Sequence, residues 1–227
     1  MSSLVLDKLK FLFKMLIPYN TVVKKLAAAG IHVTGILHIG AHECEELAAY
    51  VANGVSAANV DWIEANPELV ARMVARGIKV HQAAVSDTAA ELPFYVTNNG
   101  QSSSLLEFGT HAASYPWCKV VQTITVKTER LATVIERADI PIKKRNFWNL
   151  DIQGAELSAL KSAGDAIQYA DAIYTEVNTQ EVYKGCCLLS ELDEFLGAKG
   201  FIRAAISMTD AGWGDALYIR HKTNASK

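Results

Sequence analysis

The sequence predicts an α/β fold, doubly wound on a mostly parallel sheet, and three observations predict it. From residue 34 onward short apolar runs alternate with helix-like stretches, and each run is followed by polar or glycine residues. Successive runs lie one βαβ unit apart, ~30 residues or somewhat less. No internal repeat or Pro/Gly/Ser-rich linker divides the chain, whose 227 residues are 50% hydrophobic and 20% charged, enough to form one packed core. The expected division is an N-terminal helical segment over residues 1–33 and a single domain over residues 34–221.

The first strand is Gly35-Ile36-Leu37-His38-Ile39, the second Val60-Asp61-Trp62-Ile63 and the third Ile78-Lys79-Val80-His81. Leu92, Phe94 and Val96 alternate with polar neighbours, as do Ile124 and Val126, so two half-exposed strands are expected near residues 91–97 and 120–127, beside the main sheet. The long connection between them holds Asn98-Asn99-Gly100-Gln101-Ser102-Ser103-Ser104 and a Tyr115-Pro116-Trp117 turn, and connections of this length are usually functional. Thr128 is placed as the cap of a helix running to Arg137. Phe147-Trp148-Asn149-Leu150 is the fourth parallel strand, followed by a helix over residues 155–163, and Ala172-Ile173-Tyr174-Thr175 is the fifth. Ser190 opens the next helix. Strands around Phe201-Ile202 and Ala216-Leu217-Tyr218-Ile219, joined by a Gly212-Trp213-Gly214-Asp215 turn, form a closing hairpin.

Composition narrows the function. A formal net charge of −2 lacks the basic excess that nucleic-acid binders need, and the Lys143-Lys144-Arg145 run is too short to supply it. Cys44, Cys118, Cys186 and Cys187 show neither CxxC spacing nor a histidine partner motif, which fits a reducing cytoplasm better than a disulfide framework. Residues 4–17 are apolar but interrupted by Asp7, Lys8, Lys10 and Lys14. That pattern reads as an amphipathic helix ending at Pro18, with no transmembrane segment and no signal peptide.

In an open parallel sheet, ligands bind outside the carboxyl ends of the strands. The residues delivered there are His38, Gly40, Ala41, His42 and Glu45 after the first strand, then Glu64, Ala65 and Asn66, then Ser86 and Asp87, then Asp151 and Gln153, then Glu176. Gly40 would let backbone approach a ligand closely, and Glu64 ends the neighbouring strand, where a carboxylate accepts both ribose hydroxyls of an adenosine. The turn Gly40-Ala41-His42-Glu43-Cys44-Glu45 is not G-x-G-x-x-G, and its carboxylates would oppose a pyrophosphate. A cofactor without phosphates and with positive charge fits better, and S-adenosylmethionine is one. Glu45 or Asp151 would interact with its cationic groups.

These segments resemble the FkbM family of S-adenosylmethionine-dependent methyltransferases. The likeness lies in His38-Ile39-Gly40-Ala41-His42, Glu64-Ala65-Asn66-Pro67, Ala84-Val85-Ser86-Asp87, Ser102-Ser103-Ser104-Leu105 and, most specifically, Leu150-Asp151-Ile152-Gln153-Gly154-Ala155-Glu156. The resemblance implies a Rossmann-like class I methyltransferase with a seven-stranded sheet, order 3-2-1-4-5-7-6, helices on both faces, and O-methylation of sugars or glycosylated metabolites. By the same resemblance Gly40 and Ala41 line the cofactor, Glu64 holds its ribose, Ser86 and Asp87 flank its adenine, and Asp151 lies near the reactive methyl. Ser102, Ser103 and Ser104 would close over its methionine end or face the acceptor. The sequence departs from the commoner family pattern at His38, where an acidic residue often stands, and at Cys44-Glu45-Glu46, where a second glycine often stands.

Methyl transfer to a hydroxyl needs alignment and removal of a proton, and Asp151, Glu176 and His111 are the candidate bases, in that order. Asp151, Glu176 and Asp215 would alternatively hold a divalent cation that acidifies the hydroxyl. Gln153, Tyr183 and Trp213 are placed at the acceptor, the aromatic pair for stacking against a sugar ring. Two other readings stand beside this one: a nicotinamide-dependent oxidoreductase, and a non-catalytic binding module of the same fold.

Overall fold

The computed structural model describes residues 15–221. The amphipathic helix expected over residues 4–17 therefore lies almost wholly outside the described residues; residues 15–18, at its end, are irregular. After Pro18, α1 (Tyr19–Ala28) buries Tyr19, Val22 and Leu26, spaced three and four apart on one face. Then follow β1 (Ile36–Ile39), α2 (Leu47–Ala52), β2 (Val60–Glu64), α3 (Pro67–Ala75), β3 (Val80–Gln82), β4 (Ala84–Val85), β5 (Glu91–Thr97) and α4 (His111–Ser114). The rest of the chain is β6 (Val120–Glu129), α5 (Leu131–Arg137), β7 (Phe147–Leu150), α6 (Glu156–Ser162), β8 (Ala172–Asn178), α7 (Leu189–Ala198), β9 (Phe201–Met208) and β10 (Trp213–Arg220).

A seven-stranded sheet runs β3-β2-β1-β7-β8-β10-β9. Numbered within that sheet, the strands follow 3-2-1-4-5-7-6, the order expected. β1, β2, β7 and β8 are buried along their whole length, as continuous apolar strands covered on both faces must be. One face packs on α1, α2 and α3 through Val22, Leu26, Tyr50 and Met73. The other packs on α5, α6 and α7 through Val134, Leu157, Leu160 and Leu192. β10 is antiparallel to both β8 and β9. The two half-exposed strands are β5 and β6, which with β4 make a separate three-stranded sheet. Among the described residues no helix is long and apolar enough to cross a membrane.

Several local expectations need correcting. Thr128 is in β6, its hydroxyl donating to Thr88 O at 2.6 Å, and the first amide of α5, Leu131 N, is capped instead by Ser162 Oγ at 2.9 Å. Ser190 lies inside α7, whose start is held by Glu191 accepting from Leu188 N at 2.8 Å. The hairpin turn occupies residues 209–212, because Trp213, Gly214 and Asp215 already pair with Asn178, Val177 and Glu176 of β8. The last of these pairings places Asp215 beside Glu176 at the sheet's rim. Arg145 is not part of a surface basic run; it is buried against Asp61 at 2.6 Å.

Candidate active site

The carboxyl ends of β1, β2, β7 and β8 open into one cavity, which β10 and residues 99–117 close from the side. At the end of β1 the chain turns at Gly40, whose φ is +89°. Gly40 N and Ala41 N both donate to Ile63 O, at 2.9 and 3.0 Å, which fastens this turn to β2. Glu64 completes the join: its carboxylate accepts from His42 N and from Asn66 N, each at 2.8 Å. Burial pushes the Glu64 carboxyl above its ordinary pKa, against the pull of those amide bonds. Each Glu64 oxygen uses one lone pair on backbone, so the others remain for hydroxyl donors in the cavity.

His42 adopts φ +43°, and its Nδ1 lies 2.5 Å from Glu45 Oε1. Burial works against the His42 cation, but the hydrogen bond and charge of Glu45, with Glu64 and Glu43 behind it, raise its pKa overall. The loop after β5 rests on this ring. A Cβ on Gly100, at φ +75°, would stand 2.6 Å from His42 Nε2. Gly100→Ala is therefore expected to push the loop away from His42 and weaken S-adenosylhomocysteine binding about tenfold, a loss of ~1.4 kcal/mol that calorimetric titration reads directly.

At the end of β7, Asp151 opens the turn into α6, and Glu156 holds that turn. Glu156 Oε1 accepts from Ile152 N at 3.0 Å and from Gly154 N at 3.1 Å. Between them Gln153 takes φ +57° and spends both amide hydrogens on carboxylates, Asp151 Oδ1 at 2.5 Å and Glu176 Oε2 at 2.7 Å. Its Oε1 accepts from the Tyr183 hydroxyl. Gln153, expected to touch the acceptor, thus also fixes the two acids in place. Asp151 is open to the cavity, yet the surrounding protein raises its pKa, with Glu45 adding to the shift. Glu176 is raised well above the usual carboxylate range by burial and then by Asp151, Glu156 and Asp215. Asp215, raised to about 7 mainly by burial, accepts from Leu16 N at 2.7 Å and from the Tyr174 hydroxyl.

The cavity gathers Gly40, Ala41, His42, Glu45, Glu64 and Ala65, then Ser102 and Ser103, then Asp151, Gln153, Glu176, Asp215, His111, Tyr183 and Trp213. Five expected contributors are turned elsewhere. His38 lies inside β1 and does not line the cavity; its ring packs 4.7 Å from Trp62 and bonds Tyr50 at 3.0 Å. Asn66 caps α3, accepting from Glu68 N. Ser86 and Asp87 are held by Ser158 Oγ, at 3.3 and 2.9 Å, and Ala83, Ala84 and Val85 line the wall in their place. Ser104 donates to Gln153 O at 2.8 Å, supporting the Asp151 turn from behind. Among the residues missed from sequence are Met15, Glu46, Asn99, Tyr115, Trp117 and Tyr174. The pattern of the strand ends could have found Tyr174, which stands two residues before Glu176 on a strand where alternate side chains share a face.

The expected cation site is not built. Among the described residues no three histidine, cysteine or carboxylate side chains converge to hold a metal ion. The Gln153 amide stands between Asp151 and Glu176, and Asp215 is engaged by Tyr174 and Leu16.

The donor set does fit S-adenosylmethionine. Glu45, Glu46, Glu64, Asp151, Glu176 and Asp215 line the cavity, and no lysine or arginine among the described residues does. Such walls favour a sulfonium and an ammonium and oppose phosphates.

Comparison with known proteins agrees with this chemistry. The Methyltransferase FkbM domain matches residues 38–203. The chain is 25% identical over 115 residues to the 2-O-methyltransferase NoeI of Sinorhizobium fredii (strain NBRC 101917 / NGR234); the match takes in 48% of this chain and 46% of that protein, so it spans less than half of the relative's length. A solved S-adenosylmethionine-dependent methyltransferase from Clostridium acetobutylicum ATCC 824 superposes with a TM-score of 0.50 at 8% identity, over 96% of this chain and 97% of that one, a likeness of fold. A magnesium protoporphyrin IX methyltransferase from Synechocystis PCC 6803 gives 0.48 at 12% identity, over 89% and 81%. With most of its length matched by the domain, the chain belongs to the FkbM methyltransferase family.

Proposed function

We propose that the protein is an S-adenosylmethionine-dependent O-methyltransferase acting on a hydroxyl of a sugar, glycan or other small polar metabolite. One observation carries the reading: a single acid-lined cavity joins the Gly40 turn, Glu64 and Asp151. Family membership supports it, and the O-methylation of a sugar is supported by the name of the Sinorhizobium relative.

When bound, S-adenosylmethionine supplies an electrophilic methyl carbon on a sulfonium. In this reading the Glu64 lone pairs left free by His42 N and Asn66 N accept the ribose hydroxyls. Ala83, Ala84, Val85 and Leu69 give the apolar surface that a base needs. Asp151, open to the cavity at the centre of the sheet, takes the proton of the acceptor hydroxyl, and the Gln153 amide keeps its carboxylate aimed. A nicotinamide dinucleotide is disfavoured, since its pyrophosphate would meet Glu45 and Glu64 with no lysine or arginine among the described lining residues.

Transfer of labelled methyl to a panel of sugars and polyols, together with S-adenosylhomocysteine titration, tests the assignment. Glu64→Ala is expected to lower cofactor affinity by roughly tenfold or more, the loss of hydrogen bonds to a charged group. Asp151→Asn is expected to keep that affinity and lower turnover by about 10²-fold or more, as removal of a positioned base does. Equal binding losses in both variants would contradict these roles, and cofactor binding with no turnover across the panel would favour a binding module.

A further inference from the structure

Beyond Asp151 the cavity is lined by Glu176 and Asp215, which face each other across the β8–β10 pair and are only 5% and 8% exposed. Two buried atoms in this half have no hydrogen-bond partner: Glu176 Oε1 and His111 Nδ1. Both residues line the cavity, and His111 is 6% exposed, so neither atom has bulk water to turn to. The His111 ring stacks on Phe108 at 4.2 Å and 19°, and Tyr115 accepts from Trp213 Nε1 at 2.8 Å, so aromatic side chains line this half beside the acids.

We propose that this half of the cavity binds an ammonium group, so that the acceptor is a hydroxyl-bearing amine of the amino-sugar or amino-polyol class. The inference rests on the methyltransferase reading and adds the charge of the acceptor to it. An ammonium brings three donors and no acceptor, matching orphan atoms that both carry lone pairs. Burial lowers the His111 pKa to about 4, so its ring stays neutral, and with the proton on Nε2 its Nδ1 accepts. The aromatic faces attract a cation as well. Burial and mutual repulsion favour protons on Glu176 and Asp215 while no cation is present. An ammonium between them would offset that repulsion, whereas a neutral hydroxyl would not and a phosphate would add to it.

The test is methyl transfer from labelled S-adenosylmethionine to matched sets, each an amine, its N-acetyl derivative, the parent neutral polyol and a phosphorylated counterpart. The amines are expected to be used with a kcat/KM about tenfold or more above their matched partners, in keeping with a desolvated charge-assisted contact. Glu176→Gln is expected to remove this preference through KM while S-adenosylhomocysteine affinity stays within about twofold of the native protein. Equal or better use of the N-acetyl, neutral or phosphorylated members would overturn the proposal. If no member turns over, saturation-transfer NMR of D-glucosamine against N-acetyl-D-glucosamine on the S-adenosylhomocysteine-saturated protein decides. Stronger saturation of the amine supports the proposal; equal, reversed or absent saturation overturns it. Failure of S-adenosylhomocysteine to bind would instead reject the methyltransferase reading itself.

Discussion

Gly40→Ala is expected to cost about 3 kcal/mol or more and to abolish cofactor binding. A Cβ there would lie 1.8 Å from Asp151 O and 2.7 Å from Asp151 C, and the residue would have to hold φ +89°. Neither obstacle is a flexible side chain. The sequence suggested that Gly40 is small so that a ligand can come close; the nearest atoms belong instead to the neighbouring strand-end turn. The substitution would wedge the β1 turn away from the β7 turn, so one change would disturb both the Glu64 side of the cavity and the Asp151 side. Thermal unfolding followed by circular dichroism should show a midpoint lowered by roughly 10 °C for a chain of this size. Native stability with native S-adenosylhomocysteine affinity would show that the two turns are not in contact.

Glu156→Ala should lower turnover by about 10²-fold, the scale expected when a positioned group shifts by about an ångström. The substitution leaves Ile152 N and Gly154 N without an acceptor, and each such loss costs ~1–3 kcal/mol when buried. Gln153, at φ +57°, would then lose the frame that aims it at Asp151 and Glu176. Glu156→Gln is the discriminating partner. Its amide oxygen can accept the same two N–H groups, and its nitrogen would take the place of Oε2, which has no partner. Turnover should therefore be retained.

The pH dependence follows from the same site. Burial raises the Glu156 pKa from 4.5 to about 7, so the folded state holds its proton more tightly than the unfolded state does. The stabilisation this gives is full below pH 4.5 and is lost as pH rises through about 7. Glu156→Gln cannot ionise, so its stability relative to the native protein should rise over that interval and level off above it. Urea unfolding at pH 4.5 and pH 8 measures the difference; an unchanged gap would place the Glu156 charge elsewhere.

The central strands were legible because they are short apolar runs ended by glycine or an acid, and their order was what the family resemblance implied. Glu64, Asp151 and Glu176 could be placed by counting to the ends of those runs, and the cavity gathers all three. His38 was misplaced for a local reason: it stands inside β1 rather than beyond its end, and the Trp62 and Tyr50 rings pack around it. Ser86 and Asp87 were misplaced because β4 leaves the main sheet to pair with β6, a choice made by the partner strand. The remaining gaps are long-range. Leu16 bonds Asp215 from 199 positions away and so brings Met15 to the cavity wall, which no local pattern could announce. Thr128 had the side chain of a cap, yet Ser162, from the next helix, supplies that bond.

The central claim is that the β1 turn, Glu64 and Asp151 share one ligand, an adenosine-bearing cofactor without phosphates. Calorimetric titration of the native protein with S-adenosylhomocysteine and with NAD tests it most directly. One molecule of S-adenosylhomocysteine should bind per chain, with NAD showing no heat and Glu64→Ala losing most of the affinity. Binding of NAD in preference, or S-adenosylhomocysteine binding untouched by Glu64→Ala, would contradict it.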